Sequence, residues 1–500
     1  MSVCTVTFID EVNAKVQGLD RKTALACEKE VSYMLPHAYH MAAYKLGRWD
    51  GKTKFFKAQS GNTFIAMLSR ILPIIASNGY QIEFNDLRKS SFAVKPITTD
   101  IFANHKWPVG HPLEGEPIML RDDQAESVNI FLNRRYGLMC LPTSYGKTIT
   151  SAAICHTLGE FGRTLTIVPS TSLVEQTLED FINVGMDVGG IHGTRKEFGH
   201  QHTVTTWQSL SEIFKTKDLD KINDMVDGLS LVLVDECHQA KDATVLKDML
   251  VSYLKDVPYR LGLTGTIPKE DYQSQTIISC LGELIHHVPV KVMQEMGFIA
   301  RCEVHKIVTN DVVKFKDYAS EAAFLSKEPS RLAFISEAVE DIRKQGNTLI
   351  LVNSIEAGKE LKKLIPDSEF VYGQTKQKDR KATYKGVNNE DNTVIIATYQ
   401  VASVGINIPR IFNLITVESG KSFVRVIQSI GRAVRIAKDK NFARIFDISS
   451  NSKYSKKHLK ERVSFYDEME YAHDLTKGEY HECLEGIRKI LDNEVIDEIK

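Results

Sequence analysis

The sequence predicts an α/β protein with two consecutive parallel-sheet domains, a small α/β domain before them and a helical tail after them. Short apolar, β-branched runs alternate with amphipathic helical patterns, which is typical of doubly wound parallel sheets. A chain of 500 residues also exceeds what one hydrophobic core usually supports. Turn-forming residues separate the first hundred positions from the rest: Pro108, Gly110, Pro112, Gly115 and Pro117.

The same patterns predict the domain boundaries and the strands. We expect a small accessory domain at residues 1–105, a first sheet domain at 118–295, a second sheet domain at 296–450 and the tail at 451–500. Strands of the accessory domain are predicted at Cys4–Ile9, Thr63–Leu68 and Gln81–Phe84. Strands of the first sheet domain are predicted at Leu138–Leu141, Leu165–Val168, His202–Thr205, Leu231–Asp235 and Arg260–Thr264. Strands of the second sheet domain are predicted at Thr348–Val352, Glu369–Tyr372, Thr393–Thr398, Leu414–Val417 and Ala443–Phe446.

Composition limits the classes of function. The formal net charge is −1, so any nucleic-acid surface must be a local basic patch rather than a property of the whole chain. Eight scattered cysteines without a C-x-x-C pair argue against zinc and disulfides, and favour a reducing cytoplasm. The amino terminus has no signal-peptide pattern, and no apolar run reaches the ~18 residues of a membrane span. We therefore expect a cytoplasmic protein without membrane contact.

A phosphate loop is predicted between a strand and a helix. Gly146, Lys147 and Thr148 form a Gly-Lys-Thr triplet after the apolar run Tyr136–Leu141 and before an amphipathic segment. In this setting backbone N–H groups meet phosphates, the lysine reaches the β- and γ-oxygens, and the threonine ligates magnesium. Leu141 occupies the position of the first glycine of the general pattern, so the triplet alone also fits a surface turn.

A pair of acids ends the apolar run that begins at Leu229. Such a run suits a parallel strand buried on both faces, and acids at its carboxyl end would lie beside the phosphate loop. Asp235 is placed to hold magnesium, and Glu236 to orient or deprotonate the attacking water. The alternative is an ordinary strand that ends in two solvated acids.

The segment QSIGRAVR carries two arginines, Arg432 and Arg435, which lie on one face if the segment is helical. Guanidinium groups match the charge that spreads over a transferring γ-phosphoryl group. The alternative is a solvated basic helix, and the catalytic interpretation requires the fold to bring these arginines to Lys147.

Two further segments carry basic residues. In YKLGRWDGKTKFFK, cations such as Arg48 and Lys52 alternate with aromatics such as Trp49, as in contacts to single-stranded or forked nucleic acid. A hairpin with Asp-Gly at its turn and solvated lysines explains the same residues equally well. In the tail, Ser452–Arg462 is basic and an apolar stripe follows it. A docking helix and a DNA contact both fit.

Taken in order, these motifs resemble helicase superfamily 2 across most of the chain. PTSYGKT is similar to motif I of the family, TIVPSTSLVEQ to motif Ia, DECH to motif II and TGT to motif III. LILVNSIEAGKEL resembles motif IV, ATYQVASVGINIP motif V and QSIGRAVR motif VI. PTSYGKT, DECH and KLGRWDGK look most like the UvsW-type phage DNA helicases, which are related to RecG-type branch-migration enzymes.

The resemblance implies two RecA-like sheet domains, ATP and Mg²⁺ as cofactors, and a set of site residues. Catalytic roles are implied for Lys147, Asp235, Glu236, Gln428, Arg432 and Arg435. Nucleotide contacts are implied for Gln124, Pro142, Thr143, Ser144, Tyr145, Gly146, Lys147, Thr148, Gly405 and Asn407. Magnesium ligands are implied at Thr148 and Asp235. Nucleic-acid contacts are implied at Pro169, Ser170, Thr171, Thr206, Thr398, Ser403, Arg48, Trp49 and Lys52.

The chain departs from the family pattern at three of these motifs. Tyr145 replaces a small residue of the loop, Asp123 stands where an aromatic often precedes Gln124, and Asn407 replaces an acid frequent in motif V. These departures affect packing, adenine contacts and coupling, but they leave the lysine, the acids and the arginines in place.

The implied function is an ATP-dependent DNA helicase or translocase that remodels forked and branched DNA. Its implied partners are single-stranded, forked and four-way junction DNA, bound without sequence preference, with a single-strand-binding or recombination protein as a further candidate. If a phage encodes the chain, the location is the host cytoplasm. The alternatives are an RNA helicase, the motor subunit of a restriction-type complex and a nucleotide-switched binding protein without motor action.

Overall fold

The computed structural model describes most of the chain in two compact units. The described residues are 2–89, 92–109, 111, 113–142, 145–239, 243–265, 271–298, 301–311, 313–375, 383, 387, 390–405, 410–418, 442–468 and 471–492. The first unit ends at His287, and the second begins at Val288 and also includes residues 142–145.

The first unit begins with the accessory domain, a small α/β fold. Its strands are β1 Ser2–Phe8, β2 Asn13–Gln17, β3 Ser32–Met34, β4 Lys52–Lys54, β5 Asn62–Phe64 and β6 Tyr80–Asp86. Its helices are α1 Arg21–Glu30, α2 Ala42–Lys45 and α3 Leu68–Ser77, with 3-10 turns at Ala38–His40 and Ile65–Met67. One sheet has the order β5-β2-β1-β6, and β3 pairs with β4 separately. The predicted strand at Thr63–Leu68 is shorter in the structure, because the chain turns after Phe64 to enter α3.

The accessory domain packs against the first sheet domain. The ammonium of Lys247 lies 5.2 Å from the ring centre of Phe55, and Ser69 donates a hydrogen bond of 2.7 Å to Glu283. The core of the accessory domain also includes Tyr272 at its edge. These contacts combine the two domains into one compact unit.

The first sheet domain has eight strands, and all described strand pairs except β9–β10 are parallel. The strands are β7 Tyr136–Cys140, β8 Arg163–Val168, β9 Val188–His192, β10 Arg195–Lys196, β11 His202–Thr206, β12 Leu229–Val234, β13 Tyr259–Thr264 and β14 Leu284–His287. The helices are α4 Asp122–Arg134, α5 Lys147–Gly159, α6 Thr171–Asn183, α7 Trp207–Lys215, α8 Leu219–Val226, α9 Ala243–Asp248 and α10 Tyr272–Leu281, with a 3-10 turn at Cys237–Gln239 and a π-helical turn at Met249–Tyr253. The sheet order is β10-β9-β11-β8-β12-β13-β7-β14.

The five strands predicted for this domain are all present, because each is a buried, apolar run of the kind that parallel sheets require. The strands that the sequence analysis did not predict lie towards the edges of the sheet. Strand β9 contains two glycines and β14 contains two histidines, so neither gives a clear apolar pattern.

The second sheet domain has seven strands in the order β17-β18-β16-β19-β20-β15-β21, and all described pairs are parallel. The strands are β15 Arg301–Thr309, β16 Thr348–Val352, β17 Glu369–Val371, β18 Val394–Thr398, β19 Asn413–Val417, β20 Phe442–Ser450 and β21 Ala472–Gly478. The helices are α11 Val290–Glu295, α12 Tyr318–Lys327, α13 Pro329–Ile342, α14 Ile355–Leu364, α15 Tyr399–Gly405, α16 Lys453–Glu468 and α17 Tyr480–Asp492, with a 3-10 turn at Arg343–Gln345. The five predicted strands are again present.

The tail is helical at α16 and α17, as predicted, but β21 lies between these helices and adds an edge strand beside β15. The docking interpretation of the tail is confirmed, because α17 contributes Leu484 and Ile487 to the core of the second sheet domain. On α16, Arg462 forms a bidentate ion pair with Asp447, with N–O distances of 2.8 and 2.9 Å. In the part of the chain described here, no helix is both long enough and apolar enough to span a bilayer.

Candidate active site

Three neighbouring parallel strands bring the predicted motifs of the first sheet domain to one edge. Strand β13 lies between β12 and β7, with Val234 opposite Gly262 and Thr264 opposite Cys140. Because the strands are parallel, the segments that follow them all leave the sheet at its carboxyl edge. The acids after β12, Thr264 at the end of β13 and the start of α5, which follows β7, therefore lie together.

The helix after β7 begins in a way that suits phosphate binding. Gly146 is the N-cap of α5 and has a φ of +91°, in the left-handed region that favours glycine. A Cβ at this position would lie 2.5 Å from Nε2 of Gln124, so a larger residue would also collide. The first N–H groups of α5 have no partner within the helix, and its dipole favours an anion there. Lys147 and Thr148 follow directly and are both half-buried.

Lys147 and Glu236 form the ion pair at the centre of this site. The Nζ atom of Lys147 lies 2.6 Å from Oε1 of Glu236, and the two side chains are 16% and 18% exposed. Burial tends to lower the pKa of Lys147, but the charges of Glu236 and Asp235 outweigh it, and the pKa is raised. Lys147 therefore stays charged at neutral pH, as a phosphate ligand must.

Asp235 lies beside this pair at the end of β12. Its Oδ1 accepts a hydrogen bond of 2.9 Å from the backbone N–H of Glu236, whose φ is +47°. Burial, followed by the negative charge of Glu236, raises the pKa of Asp235 to about 6. A carboxylate in such surroundings is stabilised by an additional cation, and the carboxylate of Asp235 and hydroxyl of Thr148 are the hard oxygen donors that Mg²⁺ prefers. The donor set therefore fits magnesium.

His238 connects the acids to the next strand, a link that the sequence analysis did not predict. Its Nδ1 lies 2.9 Å from Oγ1 of Thr264 and 3.5 Å from Oε2 of Glu236. Burial lowers the pKa of His238. The position of His238 two residues after Glu236 was the only signal in the sequence, and its partner on β13 becomes apparent only in the fold.

Gln124, the predicted adenine reader, lies on α4 and is 4% exposed. Its Oε1 accepts a hydrogen bond of 3.0 Å from the N–H of Arg121 and thereby caps the helix. Arg121 in turn pairs with Asp123 through two N–O contacts of 2.9 Å. The hydrogen bond to Arg121 thus fixes the Gln124 side chain at the start of α4, beside Gly146.

The predicted strand contacts of the sheet domains lie at helix starts and strand ends. Ser170 and Thr206 are the N-caps of α6 and α7, where their hydroxyls accept backbone N–H groups. Thr206 is 3% exposed, and Thr398, at the end of β18, is 7% exposed. Pro169 is half-buried and Thr171 is exposed. The side chains of the two buried threonines, Thr206 and Thr398, are therefore largely inaccessible to a phosphate in this structure.

In the accessory domain, the predicted contact residues surround a turn. Trp49 is half-buried and donates a hydrogen bond of 3.0 Å from Nε1 to the carbonyl oxygen of Lys52, which is also half-buried, whereas Arg48 is exposed. Strand β4 pairs with β3, so the simple hairpin across Asp50 and Gly51 is not formed. Trp49 thus stabilises the turn, and Arg48 remains accessible.

Several predicted site residues lie outside the described residues: Thr143, Ser144, Asn407, Gln428, Arg432 and Arg435. Thr266 of the TGT motif is also outside them. Gly405 is the last residue of α15, and Ser403 lies within the same helix without a described side chain.

Two predicted nucleotide contacts after β7, Pro142 and Tyr145, are described. The N–H of Tyr145 donates a hydrogen bond of 3.2 Å to the carbonyl of Pro142, and Tyr145 is fully buried.

Comparisons with known proteins match the two sheet domains separately. Residues 117–269 match the family "Type III restriction enzyme, res subunit", and residues 330–437 match "Helicase conserved C-terminal domain". The chain is 22% identical over 436 residues to the ATP-dependent DNA helicase uvsW of Enterobacteria phage T4, covering 81% of this chain and 82% of that protein. It is 25% identical over 374 residues to the DNA 3'-5' helicase XPB of Kineococcus radiotolerans, covering 72% of this chain and 65% of that protein.

Solved structures support the fold, and one of them is described here. It is the ATP-dependent Type ISP restriction-modification enzyme LlaBIII bound to DNA, with a TM-score of 0.56 at 15% identity, covering 85% of this chain and 38% of that one. At this identity the likeness concerns the fold alone.

Proposed function

The chain belongs to the superfamily 2 helicases and is an ATP-dependent DNA helicase or translocase, and from this premise we propose that it remodels forked and branched DNA. The proposed reactions are branch migration, fork regression and the processing of recombination and repair intermediates. The proposed setting is the cytoplasm of the cell, or of the host cell if a phage encodes the chain. The observation that carries the enzymatic part of the proposal is the partly buried Lys147–Glu236 pair beside Asp235.

ATP hydrolysis is assigned to the residues at the edge of the first sheet. Lys147 binds a phosphate oxygen that replaces the carboxylate of Glu236, and Glu236 then accepts a proton from the attacking water. Asp235 and Thr148 would hold magnesium, which when bound supplies positive charge that neutralises the phosphates. Backbone N–H groups at the start of α5 orient the phosphate chain.

Residues of motifs V and VI complete the proposed reaction. Arg432 and Arg435 stabilise the negative charge on the transferring γ-phosphoryl group, as arginine fingers do in other phosphate-transfer enzymes. Gln428, Gly405 and Asn407 contact the nucleotide. These assignments rest on the similarity of the motifs.

DNA contact by the accessory domain is supported by an exposed aromatic and basic surface. Tyr39, Tyr44 and Leu46 are 58%, 37% and 63% exposed, and the exposed Lys45 and Arg48 lie in the same segment. Aromatic faces stack on unpaired bases, and cations bind the backbone without reading sequence. Such a surface suits the unpaired strands at a fork.

The proposed function is tested by comparing the rate of ATP hydrolysis with forked DNA, four-way junctions, single-stranded DNA, blunt duplex DNA and RNA. We expect the strongest stimulation by forks and junctions, and ATP-dependent strand exchange on a dual-labelled four-way junction. Stronger stimulation by RNA would identify an RNA helicase. Equal stimulation by blunt duplex and forks would instead favour a restriction-type translocase, in line with the match of residues 117–269.

A matched pair of variants tests the accessory surface. The double variant Lys45→Ala with Arg48→Ala should weaken fork binding and leave ATP hydrolysis without DNA unchanged. The control Lys22→Ala with Lys29→Ala removes two exposed lysines from α1 of the same domain. If both double variants bind forks as tightly as the unaltered protein does, the accessory surface is not the fork contact.

A further inference from the structure

Glu418 directly follows β19, the central strand of the second sheet, and both of its backbone polar groups are hydrogen-bonded. Its φ is +47°, in the left-handed region that residues other than glycine rarely adopt. Its N–H donates a hydrogen bond of 3.0 Å to the carbonyl oxygen of Ile448 on β20, and its own carbonyl oxygen accepts one from Nδ2 of Asn353, which follows β16. Contacts from both neighbouring strands therefore fix the direction of the chain at Glu418.

The carboxylate of Glu418 is held by side chains from two helices. Arg331 of α13, which is fully buried, donates a hydrogen bond of 2.5 Å to Oε1, and Ser455 of α16 donates to Oε2. Arg331 also contacts Asp311 at 3.2 Å, and Tyr480 donates a hydrogen bond of 2.8 Å to the same aspartate. Because the guanidinium is buried between two carboxylates, moving it away from Glu418 would leave charge unpaired.

A similar arrangement occurs at the candidate ATP site. Strand β12 lies between β8 and β13, with β7 beyond, and β19 lies between β16 and β20, with β15 beyond. An acid with a φ of +47° follows each of these strands and pairs with a cation in the first turn of a helix: Glu236 with Lys147, and Glu418 with Arg331. Glu418 therefore occupies in the second sheet the place that Glu236 occupies in the first.

The two pairs differ in what their cations can do. The Lys147 side chain is 16% exposed and can exchange its carboxylate partner for a phosphate. The Arg331 side chain is 0% exposed and is held by a second acid, so no phosphate can reach it in this structure. Buried ion pairs often contribute no more stability than apolar residues of similar volume. The Arg331–Glu418 pair therefore suits a role in fixing local geometry rather than in binding a ligand.

From this network we infer that Glu418 is a positioning residue for the segment that carries motif VI. The chain continues from Glu418 into residues 419–441, which lie outside the described residues and contain Gln428, Arg432 and Arg435. The inference rests on the arginine-finger assignment of the proposed function. An arginine that stabilises a transferring phosphoryl group must be placed accurately, because a displacement of about 1 Å can cost roughly 10²-fold in rate. Fixing the point at which the chain leaves β19 serves that requirement.

The test is a double-mutant cycle on the kcat of DNA-stimulated ATP hydrolysis, with Glu418→Ala, Arg432→Ala and both together. Radiolabelled ATP allows slow turnover to be measured. Glu418→Ala should lower kcat by about 10-fold or more and leave the KM for ATP within about twofold, because the residues assigned to phosphate and magnesium binding lie in the first sheet domain. If Glu418 acts through Arg432, Glu418→Ala should lower kcat by less than about twofold once Arg432 is already alanine.

Two further variants separate positioning from stability. Glu418→Gln keeps an acceptor oxygen for Arg331 and an amide that can donate to the hydroxyl of Ser455, so it should retain more of kcat than Glu418→Ala does. Asp447→Ala removes the partner of a different buried arginine, Arg462, in the same domain. It should destabilise the fold but leave kcat within about twofold when the assay temperature lies below the melting transition.

A milder variant is available if Glu418→Ala does not fold, as judged by circular dichroism. Ser455→Ala removes one hydrogen bond to the carboxylate and keeps the buried ion pair with Arg331. It then replaces Glu418→Ala in the cycle, with an expected loss in kcat of about threefold.

The outcomes separate this inference from the proposed function. A loss of kcat in Glu418→Ala that disappears in the Arg432→Ala background, with partial recovery in Glu418→Gln, supports the positioning role. Multiplicative losses in the cycle, a change in KM alone, an unchanged kcat or an equal loss in Asp447→Ala reject it, and the ATPase assignment stands. If Arg432→Ala by itself leaves kcat unchanged, the arginine-finger assignment fails, and the positioning role fails with it.

Discussion

The ammonium of Lys147 lies 2.6 Å from Oε1 of Glu236, although the two residues are separated by 89 positions in the chain. The pair joins the start of α5 to the end of β12 at the carboxyl edge of the first sheet. Each partner neutralises the other in partly buried surroundings, where an isolated charge would be costly. The fold thus brings together a phosphate-binding cation and a candidate general base.

Substitution of Lys147 by alanine should reduce ATP hydrolysis by at least about 10²-fold, since one preorganised charge contact typically contributes that much. The fold should persist although Glu236 loses its partner, because Lys147 is not part of a hydrophobic core and the Glu236 side chain remains 18% exposed to water. A coupled-enzyme assay measures the rate, and circular dichroism checks the fold. The exposed Lys489→Ala serves as the control, and near-normal hydrolysis by Lys147→Ala would contradict the assigned site.

Substitution of Arg432, which lies outside the described residues, should test the arginine-finger assignment. We expect Arg432→Ala to lower DNA-stimulated ATP hydrolysis by roughly 10³-fold or more, while ATP binding is largely retained. The comparison of kcat with nucleotide affinity distinguishes the two effects. Unchanged DNA-dependent turnover would instead indicate a nucleotide-switched binding protein.

His202 should make the protein sensitive to acid. Its Nδ1 lies 2.8 Å from the hydroxyl of Thr164, and burial, followed by the charge of His156, lowers its pKa from 6.5 to about 4. Between about pH 4 and pH 6.5, His202 therefore binds a proton in the unfolded chain but stays neutral in the folded chain. The stability conferred by neutral His202 is present above pH 6.5 and is lost as the pH falls through about 4.

The corresponding measurement is urea unfolding of His202→Gln and of the unaltered protein between pH 7.5 and 4. The unaltered protein should lose up to roughly 3 kcal/mol more of its free energy of unfolding over this interval than the variant does. The exposed His481→Gln controls for general effects of removing a histidine. Parallel pH profiles for His202→Gln and the unaltered protein would show that another group determines the acid sensitivity.

The ion pair between Arg462 and Asp447 should contribute strongly to the attachment of α16. Asp447 is fully buried, Arg462 is 2% exposed, and Tyr466 donates a further hydrogen bond of 2.9 Å to Asp447. Asp447→Ala leaves a buried guanidinium without its partner, so the free energy of unfolding should fall by about 3–5 kcal/mol. The pair Arg410–Asp391, in which Asp391 is 78% exposed, provides the comparison, and Asp391→Ala should cost less than about 1 kcal/mol. Equal losses for the two variants would refute this assignment.

Local sequence patterns predicted the strands well in both sheet domains. Runs such as Leu229–Val234 are almost entirely apolar, because both faces of a central parallel strand are buried. The burial of such a strand can therefore be predicted from its own residues. The Gly-Lys-Thr triplet likewise identified the start of α5, because the left-handed backbone at Gly146 restricts the residue type there.

Edge strands were harder to predict. Strand β21 has mostly exposed residues, so no alternation of apolar and polar side chains distinguishes it from the helices on either side. Its pairing with β15 depends on backbone hydrogen bonds and on contacts far along the chain.

By itself the sequence determined the order of the motifs, the two parallel sheets and the lysine and acids of the candidate ATP site, because each depends on residues that are close together in the chain. Only the tertiary structure decided that His238 meets Thr264, that Arg331 binds Glu418, and that α16 presents its lysines outward. Such contacts join residues from distant segments, and they leave no periodic pattern in the sequence of either segment.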